Sequence, residues 1–252
     1  MQSVSPLLEH QILARALRAK SIVRLVGVSR SFALGHTTVH ALKDISVEIG
    51  QGEMVAIWGP SGSGKSTLLN MIGLIDHPDA GAIAFDDLDV RSLSDDALSD
   101  CRNRKIGFVF QNFNLIPVMS ALENVMLPLQ LQLQGMADAV ARRIAANWLG
   151  KVGLGSLMEM RPDRLSGGQR QRVAIARALA IDPILVIADE PTANLDSENS
   201  RAVIDLMQRM NKETGVTFIF STHDQRLLDR VPRHLLLKDG MLAGDGRLGT
   251  GD

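Results

Sequence analysis

The stretch MVAIWGPSGSGKSTLLNMIG, residues 54–73, leaves little choice of fold. An apolar run stops at Gly59, small residues continue to Gly64, and at Lys65 a stretch free of Gly and Pro begins. A strand entering a helix through such a turn leaves backbone N–H groups free and aims a helix N-terminus at one point, where an anion binds. Gly59, Pro60, Ser61, Gly62, Ser63, Gly64, Lys65 and Ser66 match G-x-x-x-x-G-K-[ST], the Walker A phosphate loop. Its glycines let the backbone curl round a β-phosphate. Lys65 brings a charge to the β- and γ-phosphates, Ser66 offers a hydroxyl to Mg²⁺, and Thr67 reaches the α-phosphate.

Three more short apolar runs share the character of MVAIW: IGFVF (106–110), ILVIA (184–188) and TFIFS (217–221). Their β-branched and aromatic content, without clean alternation, predicts strands buried on both faces. The helix-like stretches between them predict a mostly parallel sheet flanked by helices, an α/β fold. Each run ends in polar chemistry: Gly59 and its loop, Gln111, Asp189 with Glu190, and Thr222 with His223. Ligands of open α/β sheets bind beyond the carboxyl ends of the strands, so these ends are expected to converge on one site. Adjacent carboxylates on a strand face opposite ways. Asp189 is then expected to hold the Mg²⁺ shell and Glu190 to face the γ-phosphate and polarise water. His223 is expected at the γ-phosphate, and Gln111 at Mg²⁺ or the attacking water.

Composition narrows the partners. Lys+Arg 27 against Asp+Glu 28 gives a net charge of −1, without the basic excess of a nucleic-acid binder. The sole cysteine, Cys101, rules out an internal disulfide and suits a reducing compartment. No window reaches the roughly 18 apolar residues of a spanning helix, and no secretory signal is legible. Residues 7–20 have the pattern of a short amphipathic helix with Arg15, Arg18 and Lys20 on its polar side, readable as a surface contact or as a frayed extension.

A second cradle lies in LSGGQRQRVAIARALA, residues 165–180. Ser166, Gly167 and Gly168 open a stretch without Gly or Pro, and Gln169 follows them. Either residues 112–164 fold back over the sheet so that this turn meets the chain's own nucleotide, or it serves a nucleotide held by another copy. In the second case a two-fold pairing makes both sites at once.

GPSGSGKST, Gln111, LSGGQ, ILVIADE, ANLD and His223 resemble, in order and spacing, the Walker A, Q-loop, signature, Walker B, D-loop and H-loop of an ABC-transporter ATPase, over about residues 21–245. The resemblance implies an ABC-type P-loop NTPase with an antiparallel β subdomain and an inserted helical lobe. It implies a core of about residues 21–111 and 181–252, a lobe of about 112–180, and an extension over 1–20. It further implies a homodimer sandwiching ATP and Mg²⁺. Ser166, Gly167, Gly168 and Gln169 would contact the partner's ATP, Glu190 would be the general base, and Asp196 would link the two sites. Phe32 stands where the family stacks an aromatic on adenine, usually Tyr, with Val39 beside it.

HALKDISVEIGQGEMVAIWGPSGSGKSTLLNMIGLID, IGFVFQNFNLIP and ALENVMLPL are similar to the LolD/MacB branch. Its ATPases work with FtsX-like or MacB-like permeases from the cytoplasmic face of the inner membrane, on lipoproteins, drugs or peptides. The segment FNLIPVMSALENV from Phe113 is the expected permease contact. LPLQLQLQGM alternates like a strand, but the resemblance and Pro128 place a helix there. Trp58 and Pro232-Arg233 depart from the family's habits without touching the catalytic set. The alternative is a non-transport ABC ATPase controlling cell-wall hydrolases or driving another mechanical task; those that move DNA ends or ribosomes carry long coiled-coil insertions, tandem domains or zinc cysteines. This chain has none of these; a purely structural ATP clamp would not need Glu190 and His223.

Overall fold

The computed structural model describes residues 20–35, 37–132 and 137–247. The amphipathic stretch at 7–20 lies outside the described residues, apart from Lys20. The chain runs β1 (Ser21–Leu34), β2 (Thr37–Gly50), β3 (Met54–Trp58), α1 (Lys65–Ile72), β4 (Ala80–Phe85), β5 (Leu88–Asp89), α2 (Asp95–Lys105) and β6 (Ile106–Val109). Helices α3 (Ala121–Gln132), α4 (Asp138–Lys151) and α5 (Gly167–Leu179) follow. Then come β7 (Leu185–Asp189), α6 (Ser197–Thr214), β8 (Thr217–Thr222), the short α7 (Gln225–Leu228), β9 (Arg233–Lys238) and β10 (Met241–Arg247).

Two sheets form. An antiparallel one has the order β2-β1-β4-β5, and the other has the order β10-β9-β3-β8-β7-β6. In the second, β6, β7, β8, β3 and β9 run parallel, and β10 closes the edge antiparallel. The expected parallel core and antiparallel subdomain are both present. Strand ends move slightly: Asp189 and Thr222 close β7 and β8 instead of following them, and β6 stops one residue before Phe110.

Alternate residues of β3 serve two cores, as its period of two requires. Val55 and Ile57 join Ile187 and Ile219, the α1 side chains Leu68 and Ile72, and Leu25 and Ile45 of the antiparallel sheet. Met54 and Ala56 join Phe218, Phe220 and the helices on the opposite face. That second core is continuous with the helical region, through Val173 and Ala176 of α5, Leu122 and Val125 of α3, and Trp148 of α4. Movement of α5 is therefore felt in the sheet, because close-packed interiors transmit strain.

The alternating LPLQLQLQ is helical through Gln132, with Pro128 inside α3. Burial of Leu122, Val125, Met126 and Leu129 at helical spacing overrides the apparent period of two.

Candidate active site

The carboxyl ends of the parallel strands border a cleft of about 600 Å³. Phe32, Val39, Ser61, Gly62, Gly64, Lys65, Ser66, Thr67, Gln111, Asp189 and Glu190, all named from the sequence, line it. Phe32 and Val39 are cross-strand partners of β1 and β2 and remain partly exposed, and the Arg30 guanidinium sits 4.9 Å from the Phe32 ring centre. At Gly59 φ is +148°, and an added Cβ would lie 2.0 Å from the Leu237 carbonyl oxygen. Only glycine lets the loop leave β3 this close to β9. Gly64 caps α1 without a side-chain bond, so the helix N-terminus stays open to an anion. Lys65 Nζ donates to the Gly59 and Pro60 carbonyls, both at 2.9 Å.

Asp189 and Glu190, expected to serve one nucleotide site in different roles, both border the cleft. The chain leaves the strand between them: Glu190 has φ +47°, and alternation ends there. Ser221 Oγ donates to Asp189 Oδ1 in a short hydrogen bond. His223 Nδ1 lies 2.6 Å from Glu190 Oε1, while the imidazole is largely exposed. Glu190 Oε2 is buried without a protein hydrogen-bond partner. A carboxylate with one oxygen on an imidazole and the other unpartnered is arranged to accept a proton.

His40, Ala41, Lys43, Ser221, Asp239 and Gly240 also line the cleft, and the sequence reading did not name them. Lys43 N donates to Gly240 O at 2.8 Å, and Gly240 N donates to Ser63 O at 3.1 Å. The β9–β10 turn thus braces the phosphate loop, with Ser63 buried behind it. The signal for this turn was the Asp239-Gly240 dipeptide between two apolar runs.

Residues 166–169 and Asp196 are not among those lining the cleft. Ser166 caps α5: its Oγ accepts from Gln169 N at 3.3 Å, and Ser166 N donates to Gln169 Oε1 at 2.8 Å. Asp196 caps α6, accepting from Asn199 N at 2.8 Å, and these bonds hold its carboxyl below the usual range. After Gln111 the chain turns through positive φ at Phe113 and Asn114. Arg177 of α5 donates to both of their carbonyls, and burial lowers its pKa. Phe113 is buried with the Arg170 guanidinium 5.0 Å from its ring centre, whereas Asn114, Pro117 and Val118 are exposed.

A Walker A loop on a parallel sheet, with Glu190 lining the same cleft and His223 hydrogen-bonded to Glu190 but not among the cleft's lining residues, defines an ATP-hydrolysing P-loop domain. The chain belongs to the ABC transporter family, whose model matches residues 42–193. It lies in the LolD/MacB branch and is an ATP-binding, ATP-hydrolysing protein of that family. It is 46% identical to the lipoprotein-releasing system ATP-binding protein LolD of Anaeromyxobacter dehalogenans, over 90% of this chain and 95% of the relative. It is 47% identical to the macrolide export ATP-binding/permease protein MacB of Syntrophobacter fumaroxidans, over 88% of this chain but only 31% of that longer relative. Among solved structures, the MJ0796 cassette of Methanocaldococcus jannaschii, a dimer in a post-hydrolysis state bound to ADP and Pi, superposes with a TM-score of 0.83. That match has 42% identity and covers 91% of this chain and all of the other.

Proposed function

We propose that two copies of this chain pair head-to-tail, each closing its Walker A loop on ATP against residues 166–169 of the other copy. The observation that carries this reading is that residues 166–169, a helix N-terminus with glycines, contribute nothing to the lining of their own chain's cleft. The dimeric MJ0796 cassette supports it.

In this reading Phe32 stacks on adenine with Val39 beside it. Residues 59–67 surround the phosphates, and Lys65 exchanges its carbonyl partners for phosphate oxygens. Glu190 takes a proton from the attacking water, and His223 orients Glu190 and contacts the γ-phosphate. Ser66, Gln111 and Asp189 present hydroxyl, amide and carboxylate oxygens to one cleft, a donor set that fits Mg²⁺. When bound, that ion neutralises charge on the phosphates.

The structural unit is residues 21–252, with a core of about 21–111 and 181–252, a helical lobe of about 112–180, and an extension over 1–20. The membrane contact is an FtsX-like or MacB-like permease moving a lipoprotein, drug or peptide. Exposed Asn114, Pro117 and Val118 support docking there, as does a groove of about 250 Å³ lined by Phe108, Phe110, Pro128 and Leu131. Phe113, being buried, acts as support under that surface. The LolD and MacB relatives support a peripheral subunit on the cytoplasmic face of the membrane; no described helix is long and apolar enough to cross a membrane.

Ser166→Arg tests the composite site: hydrolysis is lost while the monomer still binds ATP. Undiminished hydrolysis would refute it. Mass spectrometry of membrane proteins retained by tagged Glu190→Gln in mild detergent with ATP tests the branch. A permease with few spans and a large external domain is expected, and a many-span importer would overturn that assignment.

A further inference from the structure

Three segments that the sequence reading treated separately are tied together by one side chain. Arg226 is the second residue of α7, just beyond His223. Its Nε donates to Asp224 Oδ1 at 2.8 Å and its Nη2 to Asp224 Oδ2 at 2.9 Å. Its remaining arm, Nη1, donates to Ser197 Oγ at 3.0 Å, in the first turn of α6 directly after Asp196. Asp224 Oδ2 also accepts from Thr192 Oγ1 at 2.7 Å, two residues beyond Glu190. Arg226 and Asp224 together therefore join the segment that carries His223, the segment that carries Glu190 (through Thr192) and the start of α6 next to Asp196.

The path continues from Asp196. Asn199 donates to it through both its backbone N–H and its side-chain amide. Asn199 also abuts the second cradle: a Cβ on Gly168 would lie 2.3 Å from Asn199 Oδ1. Asp224 is nearly buried and Arg226 is partly exposed. A planar fork fixed on a nearly buried carboxylate holds its third donor in one direction, which a flexible ammonium cannot do.

We propose that Arg226 is a positioning residue that couples the two nucleotide sites. It transmits the state of the Glu190–His223 pair, through Ser197, Asp196 and Asn199, to the Gly168 turn that serves the partner copy's ATP. The proposal rests on the composite-site reading and names a cis route between its two sites. A closed catalytic pair in one cleft then sets the posture of the cradle in the other.

The test compares Arg226→Ala, Arg226→Lys and Ser197→Ala in the full chain. It measures steady-state hydrolysis against ATP concentration, equilibrium binding of a fluorescent ATP analogue, and the unfolding temperature. Arg226→Ala is expected to lower kcat about tenfold, the order of one charge-assisted hydrogen-bond arrangement, with analogue affinity unchanged and the Hill coefficient falling toward one. Its unfolding temperature should fall, because the nearly buried Asp224 carboxylate loses the guanidinium and keeps only the Thr192 hydroxyl and local backbone N–H bonds, so kcat and the Hill coefficient are read well below that temperature. Ser197→Ala keeps the Asp224 pair and should lower the Hill coefficient alone. Arg226→Lys should fail to restore it. Unchanged kcat and Hill coefficient in Arg226→Ala, or full recovery with lysine, would overturn the proposal. Glu190→Gln measured alongside separates the two levels. Normal turnover in Glu190→Gln removes the catalytic assignment and the coupling with it. An inactive Glu190→Gln beside a wild-type-like Arg226→Ala removes the coupling alone.

Discussion

Replacing Gly59 and Gly62 by alanine, one at a time, separates backbone conformation from close approach in the phosphate loop. Both glycines have positive φ, +148° and +76°. Nothing lies within 4 Å of a Cβ on Gly62, so Gly62→Ala carries only the conformational cost, about 1–2 kcal/mol. A Cβ on Gly59 would meet Leu237 O at 2.0 Å and Ser63 Oγ at 3.1 Å. Leu237 is held in β9 by its pairing with Leu242, so its carbonyl cannot swing aside. Strain of about 1–3 kcal/mol plus overpacking of about 1–3 kcal/mol puts Gly59→Ala near 4 kcal/mol. At about 2–4 °C per kcal/mol for a domain of this size, Gly59→Ala should lower the unfolding temperature by about 8–16 °C and Gly62→Ala by about 2–8 °C. Circular dichroism melts of the two variants without nucleotide give the comparison. Equal melting temperatures would show that the loop is not pinned against β9, and the bracing by the β9–β10 turn would go with it.

Phe32→Ala should weaken ATP affinity by about 1–3 kcal/mol, the worth of an aromatic face stacked on a base, and Phe32→Tyr should leave it nearly unchanged. Fluorescent-nucleotide titration checks both, and an unaffected Phe32→Ala would remove the stacking role. Burial pushes the Asp224 carboxyl upward, but hydrogen bonds from Arg226 and Thr192 outweigh it and leave the pKa below the ordinary carboxylate value. Its contribution is therefore complete above about pH 4, the unfolded value, and is lost as pH falls through the lower folded value. Urea unfolding of wild type and Asp224→Asn should show a stability gap that is constant at neutral pH and closes in acid. A gap that widens on acidification would contradict that sign.

The parts of the site legible in the sequence are those whose chemistry is local. The residues of GPSGSGKST act through their own backbone, and a strand end announces Asp189, Glu190 and His223 by a switch from apolar to polar. What was not legible depends on distant segments meeting. Lys43 of β2 and Gly240 reach the cleft through a bond from the antiparallel sheet to the β9–β10 turn of the other sheet. The turn at Glu190, with φ +47° just past the end of β7, is set by tertiary context and could not be read from strand alternation. Phe113 opens the apolar segment after Gln111 where the resemblance implies a permease contact, yet it is buried with Arg170 over its ring. Pro128 within α3 shows the converse: a strand-like alternation yields to the burial of one helical face.

Light scattering of Glu190→Gln with saturating ATP and Mg²⁺ tests the pairing most directly. Head-to-tail closure over two ATP molecules predicts that the 27.3 kDa chain shifts to about twice its mass with ATP and stays there, because the bond that reopens the dimer is not cut. A variant that remains at the monomer mass while ATP is bound would contradict the shared-site account.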